Sequence, residues 1–184
     1  MAYAAHIELL GQPGDEFSYS NISASLGGYT AAMADGDLSG SLYNGYADLL
    51  KLNVPDPIGM GTAVVRYSEA LQSPNYGKSY IVERGEVIEA EPEDFDGDPL
   101  APSGVLKASA NEMALYISTQ LNKGMAPNGN QIVSEKNLVE MWQPYLESYA
   151  MGWEVSNGQG VEHISHEGSF VPSWGCSLSL PRVM

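Results

Sequence analysis

The sequence PGDEFSYSNISASLGGYTAAMA, residues 13–34, places a Pro-Gly turn a few residues before a segment with helical periodicity. Apolar residues in this segment recur three to four positions apart, which predicts a helix over residues 22–34. They are Ile22, Leu26, Tyr29 and Met33. Asn21 directly precedes this helix and is predicted to cap it, because its side chain accepts a hydrogen bond from the first turn. We expect the turn and the cap together to fix the position of Tyr19.

Further helices are predicted on both sides of a central acidic segment. Residues 2–10 and 42–52 have apolar residues at helical spacing and end at glycine or proline signals. Ser109 and Glu112 form a capping box, in which the two side chains satisfy each other's free backbone N–H groups at a helix start. Ser134 is predicted to cap one more helix, which ends before the proline ten residues later.

Most of the predicted strands lie near the end of the chain. A small hairpin is expected over residues 80–88, turning at Arg84 and Gly85. Three further strands are expected over residues 150–155, 161–165 and 174–180. Because helices precede most of the strands and do not alternate with them, the sequence predicts an α+β fold. Residues 1–184 contain no repeat and no linker, so one domain is expected.

The charge and hydropathy of the chain exclude several classes of partner. The net charge is -15, from 23 acidic and 8 basic residues, whereas nucleic-acid binding depends on Lys and Arg at the phosphates. No stretch reaches the roughly 18 to 20 apolar residues that a membrane span needs. The first residues, MAYAAHIELL, lack the basic and apolar regions of a signal peptide. We therefore expect neither a nucleic-acid partner nor a membrane span.

Two acidic or histidine-rich stretches resemble metal sites only superficially. In residues 162–167, His163 and His166 are three apart on a predicted strand and would point to opposite faces. Residues 94–98 are not followed by the glycine and glutamate that a calcium loop requires. No phosphate-binding glycine motif is present, and Cys176 lies in an apolar run where a thiol is unreactive. We therefore predict no metal and no cofactor.

Five stretches of the chain resemble, in the same order, motifs of the serine β-lactamase-like hydrolases. That group includes class C β-lactamases, D-alanyl-D-alanine carboxypeptidases and family VIII esterases. The stretches are PGDEFSYSN at 13–21, DPIGM at 56–60, APSGVLKASANEMALYI at 101–117, YAMGWEV at 149–155 and HEGSFVPSWGCSLSLP at 166–181. The resemblance implies a partial β-lactamase/transpeptidase-like fold.

The resemblance also implies acyl transfer through a nucleophilic serine. Members of the group carry a Ser-x-x-Lys motif, a Tyr-x-Asn loop and a Lys-Thr-Gly or His-x-Gly strand. Tyr19 and Asn21 match the second motif, and His166 and Gly168 match the third. By resemblance, Tyr19 transfers the proton once cations beside it favour the phenolate, and the Ser169 N–H forms one arm of the oxyanion hole. These side chains are then expected at the mouth of one cleft.

The first motif is missing from the chain. None of its lysines has a serine three positions earlier. In the group this motif precedes the tyrosine loop, and further strands follow the last matched stretch. We therefore expect the chain to be the middle of a longer enzyme, truncated at both ends and inactive alone. Full-length members of the group are often periplasmic or secreted.

The substrate class is narrowed but not decided by the resemblance. An ester, a D-Ala peptide or a β-lactam would share the same acylation chemistry. The His-x-Gly form and the segment SGVLKASANEMA favour an esterase or a carboxypeptidase-like enzyme. Two alternatives remain open: a non-catalytic binding module related to β-lactamases, and an unrelated acidic protein that binds a divalent ion. The oligomeric state is not indicated.

Overall fold

The protein has an α+β fold in which most helices precede the main sheet, as predicted. The computed structural model describes residues 6–8, 10–36, 40–89, 99–158, 160–168 and 177–182. The helices are α1 Asn21–Asp35, α2 Leu42–Asn53, α3 Pro55–Ile58, α4 Tyr67–Ala70, α5 Ala110–Leu121 and α6 Glu135–Met141, with a 3₁₀ helix at Ala101–Ser103. The strands are β1 Tyr80–Glu83, β2 Glu86–Glu89, β3 Glu154–Gly158, β4 Val161–Glu167 and β5 Ser177–Arg182.

Several predictions fall on residues outside this description. They concern the helix over residues 2–10 for most of its length, the acidic residues 91–98, Ser169 and Cys176. Within the described part of the chain, no helix has both the length and the apolar character needed to cross a membrane.

The residue that caps helix α1 lies one position earlier than predicted. Its N-cap is Ser20, whose extended backbone has φ -150° and ψ 114° and whose hydroxyl accepts a hydrogen bond from the Ser23 amide at 3.2 Å. Asn21 is therefore the first helical residue, and its prediction as the cap was wrong. Serine and asparagine cap helices about equally well, so their order in the chain could not decide between them.

The buried face of α1 also differs from its apolar pattern. The buried residues are Ser25, Tyr29 and Ala32, whereas Leu26 and Met33 are 39% and 61% exposed. The side chain of Pro102 in the 3₁₀ helix packs so closely on Gly28 that a Cβ there would overlap it. Small residues thus let α1 approach its neighbour, and that close approach determines which face is buried.

Two predicted helix starts are confirmed in detail. The Ser109 hydroxyl accepts a hydrogen bond from the Glu112 amide, and the Glu112 carboxylate accepts one from the Ser109 amide at 2.8 Å. Ser134 caps α6 in the predicted way, by accepting a hydrogen bond from the Asn137 amide at 3.2 Å.

The hairpin of β1 and β2 is confirmed, and it turns at Arg84 and Gly85 with φ of 51° and 86°. The second sheet is antiparallel with the order β3-β4-β5. Alternation along β4 places His166 on the same face as the buried Ile164, and His163 on the opposite face, as predicted.

Strand β3 begins four residues later than the predicted start at residue 150. The Ala150 amide donates to the Trp153 carbonyl at 2.8 Å across a tight turn in which Gly152 has φ 77°. The apolar residues Ala150 and Trp153 of this turn pack with Ile164 of β4 in one buried cluster. Their apolar character therefore results from core packing and not from strand pairing. Tyr149 and Gly152, which are chain neighbours of Ala150 and Trp153, line the cleft described next.

Candidate active site

A cleft of about 390 Å³ forms where four separate parts of the chain meet. These are the start of α1, the 3₁₀ helix, the turn before β3 and the end of β4. The volume lies within the range of small-molecule sites. The lining residues are Phe17, Ser18, Tyr19, Ser20, Ser23, Ala24, Pro102, Ser103, Tyr149, Gly152 and His166.

Tyr19 and His166 both line this cleft, although they come from opposite ends of the described chain. Their ring centroids are 6.0 Å apart, with the ring planes inclined by 38°. Tyr19 is 54% exposed, so its side chain is accessible to a bound molecule. The structure therefore brings two of the predicted site residues into one cleft.

The other predicted site residues are placed less directly. Asn21 is exposed in the first turn of α1 and is not among the lining residues. Gly168 directly follows β4, is exposed, and has no neighbouring atom within 4 Å of a hypothetical Cβ. Ser169 lies outside the described residues.

Tyr149 is a lining residue that sequence reasoning did not assign. Its hydroxyl oxygen lies 3.1 Å from Nε2 of His166, within hydrogen-bond distance. Its ring is 4.9 Å from the Phe17 ring and 5.8 Å from the Tyr19 ring, measured between centroids. Tyr149 opens the matched stretch YAMGWEV, but nothing in that stretch indicated its contact with a histidine seventeen positions later.

The backbone around Tyr149 holds this side chain in place. The Tyr149 amide donates to the Leu146 carbonyl at 3.2 Å, and its carbonyl accepts from the Tyr145 amide at 3.2 Å. Four residues later, Trp153 packs in a buried cluster with Ala150 and Ile164. The two backbone hydrogen bonds therefore fix the position of Tyr149 in a tight turn.

The surroundings of Tyr149 keep its phenol protonated. Burial raises the pKa of Tyr149, and the nearby Tyr19 and Glu154 raise it further because both would repel a phenolate. Near neutral pH the side chain is therefore a neutral phenol that can donate a hydrogen bond.

The described lining of the cleft contains no lysine, arginine, aspartate or glutamate. Its polar groups are serine hydroxyls, two phenols and one imidazole, which can form hydrogen bonds to a carbonyl compound. Among the residues that the structure describes, no group of three or more His, Cys, Asp or Glu could hold a metal ion. The acidic residues 91–98, on which a divalent-ion site would depend, are not among them.

Comparison with known protein families gives a match over nearly the whole chain. The sequence model of the Beta-lactamase family matches residues 1–180. No curated protein matches the chain at a significant level.

Two solved structures are similar to this one. An octameric penicillin-binding protein homologue from Pyrococcus abyssi has a TM-score of 0.75 and 22% identity, and the match covers 91% of this chain and 37% of that one. A D-amino acid amidase from Ochrobactrum anthropi SV3, complexed with L-phenylalanine amide, has a TM-score of 0.62 and 15% identity, with 98% and 54% covered. These matches confirm the predicted β-lactamase/transpeptidase-like fold, and the chain spans about a third to a half of each matched structure.

Proposed function

Because the chain belongs to the β-lactamase family, we propose that its cleft is part of a serine hydrolase site that transfers an acyl group to water. The observation that carries this proposal is the meeting of Tyr19 and His166, with ring centroids 6.0 Å apart in one cleft. Those two side chains match the Tyr-x-Asn and His-x-Gly motifs, which lie far apart in the sequence.

In the proposed reaction, Tyr19 accepts the proton of a serine hydroxyl as that hydroxyl attacks the substrate carbonyl. The phenol then passes the proton to the leaving group, which is the ordinary work of a general acid–base residue. His166 donates a hydrogen bond to the substrate. Because Gly168 has no side chain, the substrate can approach the backbone there. The Ser169 N–H stabilises the negative charge that develops on the carbonyl oxygen.

The nucleophilic serine and its lysine are proposed to come from a part of the protein outside these 184 residues. Two observations support this. The chain contains no Ser-x-x-Lys motif, and the described lining of the cleft has no lysine or arginine that would favour a phenolate at Tyr19. In the complete protein, Asn21 at the first turn of α1 is proposed to contact that lysine or the substrate.

The proposed substrate is a small ester or amide, and a β-lactam would fit the same chemistry. The His-x-Gly form of the third motif favours an esterase or a carboxypeptidase-like enzyme. The uncharged lining suits a carbonyl compound that is held by hydrogen bonds and ring contacts.

A fluorophosphonate probe tests where the nucleophile lies. The probe phosphonylates activated serines, so we expect no labelling of the 184-residue chain and labelling of the product of the complete reading frame. Mass spectrometry should locate the label on the serine of a Ser-x-x-Lys motif. A labelled serine within residues 1–184 would contradict the proposed origin of the nucleophile.

The product of the complete reading frame also tests the second candidate function, a non-catalytic binding module. If the complete product is folded, binds a penicillin or a D-Ala-D-Ala peptide saturably, and is never acylated, the protein is a binding module and the hydrolase proposal is wrong.

A further inference from the structure

The contact between Tyr149 and His166 depends on which imidazole nitrogen carries the proton. The Tyr149 hydroxyl oxygen and Nε2 of His166 are 3.1 Å apart. Either atom can be the donor, and the choice decides the tautomer of the ring.

We propose that Tyr149 is a positioning residue that donates its hydroxyl proton to Nε2 and so holds neutral His166 as the Nδ1–H tautomer. The role of this tautomer in turnover rests on the proposed function, but the tautomer itself does not.

The chemistry of the two groups favours this direction of donation. A phenol O–H is a stronger hydrogen-bond donor than an imidazole N–H, and an imidazole sp² nitrogen is a stronger acceptor than a phenol oxygen. Burial raises the pKa of Tyr149, with further contributions from Tyr19 and Glu154, so the phenol keeps the proton that it donates. With Nε2 accepting, the ring proton of the neutral imidazole lies on Nδ1.

Packing on both partners keeps this hydrogen bond in place. Phe17 and Tyr19 contact the Tyr149 ring, with centroid distances of 4.9 and 5.8 Å. His166 lies near the end of β4, where its backbone is in register with Leu178 of β5. Both side chains are half-buried, which limits competition from water.

The consequence for the site is a fixed direction for the imidazole. While Tyr149 occupies Nε2, the ring offers an N–H donor at Nδ1 and no free basic nitrogen. In the proposed reaction His166 then hydrogen-bonds an oxygen of the substrate and does not take the serine proton, which leaves that step to Tyr19.

NMR of the 184-residue chain tests this assignment without any need for activity. The chain has three histidines, so long-range ¹H–¹⁵N spectra at about pH 8.5, where imidazoles are neutral, resolve each ring. We expect His166 as the Nδ1–H tautomer in the wild type. In Tyr149→Phe we expect a change to the Nε2–H tautomer, which free histidine prefers. The matched control is Tyr145→Phe, since Tyr145 is 83% exposed and outside the cleft.

An Nε2–H tautomer of His166 in the wild type overturns the proposal by itself, whether or not the variant folds. An unchanged Nδ1–H tautomer in a folded Tyr149→Phe chain also overturns it, and unaltered His163 signals would show that the sheet is intact. Neither result bears on whether the complete protein is acylated, so this inference can fail while the proposed function stands.

Discussion

The hydroxyl of Ser20 and the carboxylate of Glu112 each hold the backbone at the start of a helix. Ser20 satisfies the Ser23 amide at the start of α1, directly after Tyr19. Glu112 accepts hydrogen bonds from the amide and hydroxyl of both Ser109 and Thr62, at distances between 2.7 and 2.9 Å. The Ser20 contact lies at the start of α1, and the Glu112 contacts join the start of α5 to the loop that contains Thr62. A single substitution can test each of them.

Ser20→Ala should lower the free energy of unfolding by about 1 kcal/mol, the usual effect of losing a helix cap. Asn21→Ala is the matched control and should change it by less than about 0.5 kcal/mol, because Asn21 is already inside the helix. Urea denaturation of the two variants checks this. A larger loss of stability in Asn21→Ala than in Ser20→Ala would show that Asn21 is the cap.

Glu112 should make stability depend on pH in the acid range. Burial alone would raise the pKa of Glu112, but the hydrogen bonds from Ser109 and Thr62 lower it from 4.5 to about 2. The folded state therefore binds this proton less readily than the unfolded chain. The resulting stabilisation is present above about pH 4.5 and is lost as the pH falls towards about 2; its full size is on the order of 3 kcal/mol.

Urea denaturation of wild type and Glu112→Gln between about pH 7 and pH 2 measures this contribution. We expect the difference between them to be largest near pH 7 and to shrink below about pH 4.5. Glu140→Gln, an exposed change on α6, is the control and should behave as the wild type. A difference that does not vary with pH would show that the Glu112 charge is not what stabilises the fold.

Helix α1 and the 3₁₀ helix together shape one wall of the cleft, because Ser20, Ser23 and Pro102 all line it. Gly27 and Gly28 are adjacent in α1 but differ in surroundings. A Cβ at Gly28 would overlap Pro102, whereas no atom lies within 4 Å of a Cβ at Gly27. Helix propensity alone gives both glycines the same penalty, because it does not include the residue that packs on the helix.

Gly27→Ala should therefore stabilise the protein by up to about 1 kcal/mol, through better helix propensity and a less flexible unfolded chain. Gly28→Ala should destabilise it by about 1 to 3 kcal/mol, because the methyl group must displace Pro102. Thermal or urea unfolding of this pair of variants is the measurement. Equal stabilisation by both substitutions would mean that α1 does not pack on the 3₁₀ helix as described.

Local signals predicted most elements, including the capping box at Ser109, the hairpin at Arg84 and the placement of His163 and His166 on opposite faces. The cap of α1 was assigned to Asn21 in place of Ser20 because two good capping residues are adjacent. The other predictions failed where a distant partner decides the outcome. Apolar residues of the Ala150–Trp153 turn were read as a strand, although they pack in a core cluster. Tyr149 was missed as a site residue for the same reason, because its histidine partner arrives only through the tertiary fold.

The cleft depends on four segments that the fold brings together, and its described lining carries no aspartate, glutamate, lysine or arginine. The chain spans 37% and 54% of the two matched structures. The proposed site is therefore one in which this chain supplies the tyrosine and the histidine, and a further part of the protein supplies the attacking serine.

The hydrolysis of p-nitrophenyl butyrate by the product of the complete reading frame tests whether Tyr19 takes part in acyl transfer, with Tyr19→Phe compared against Tyr145→Phe. We expect kcat/KM to fall by about 10² to 10⁴ in Tyr19→Phe, since the proton acceptor is lost. It should remain at the wild-type level in Tyr145→Phe. Equal activity in all three proteins would contradict the role of Tyr19, and with it the assignment of this cleft as the site of acyl transfer.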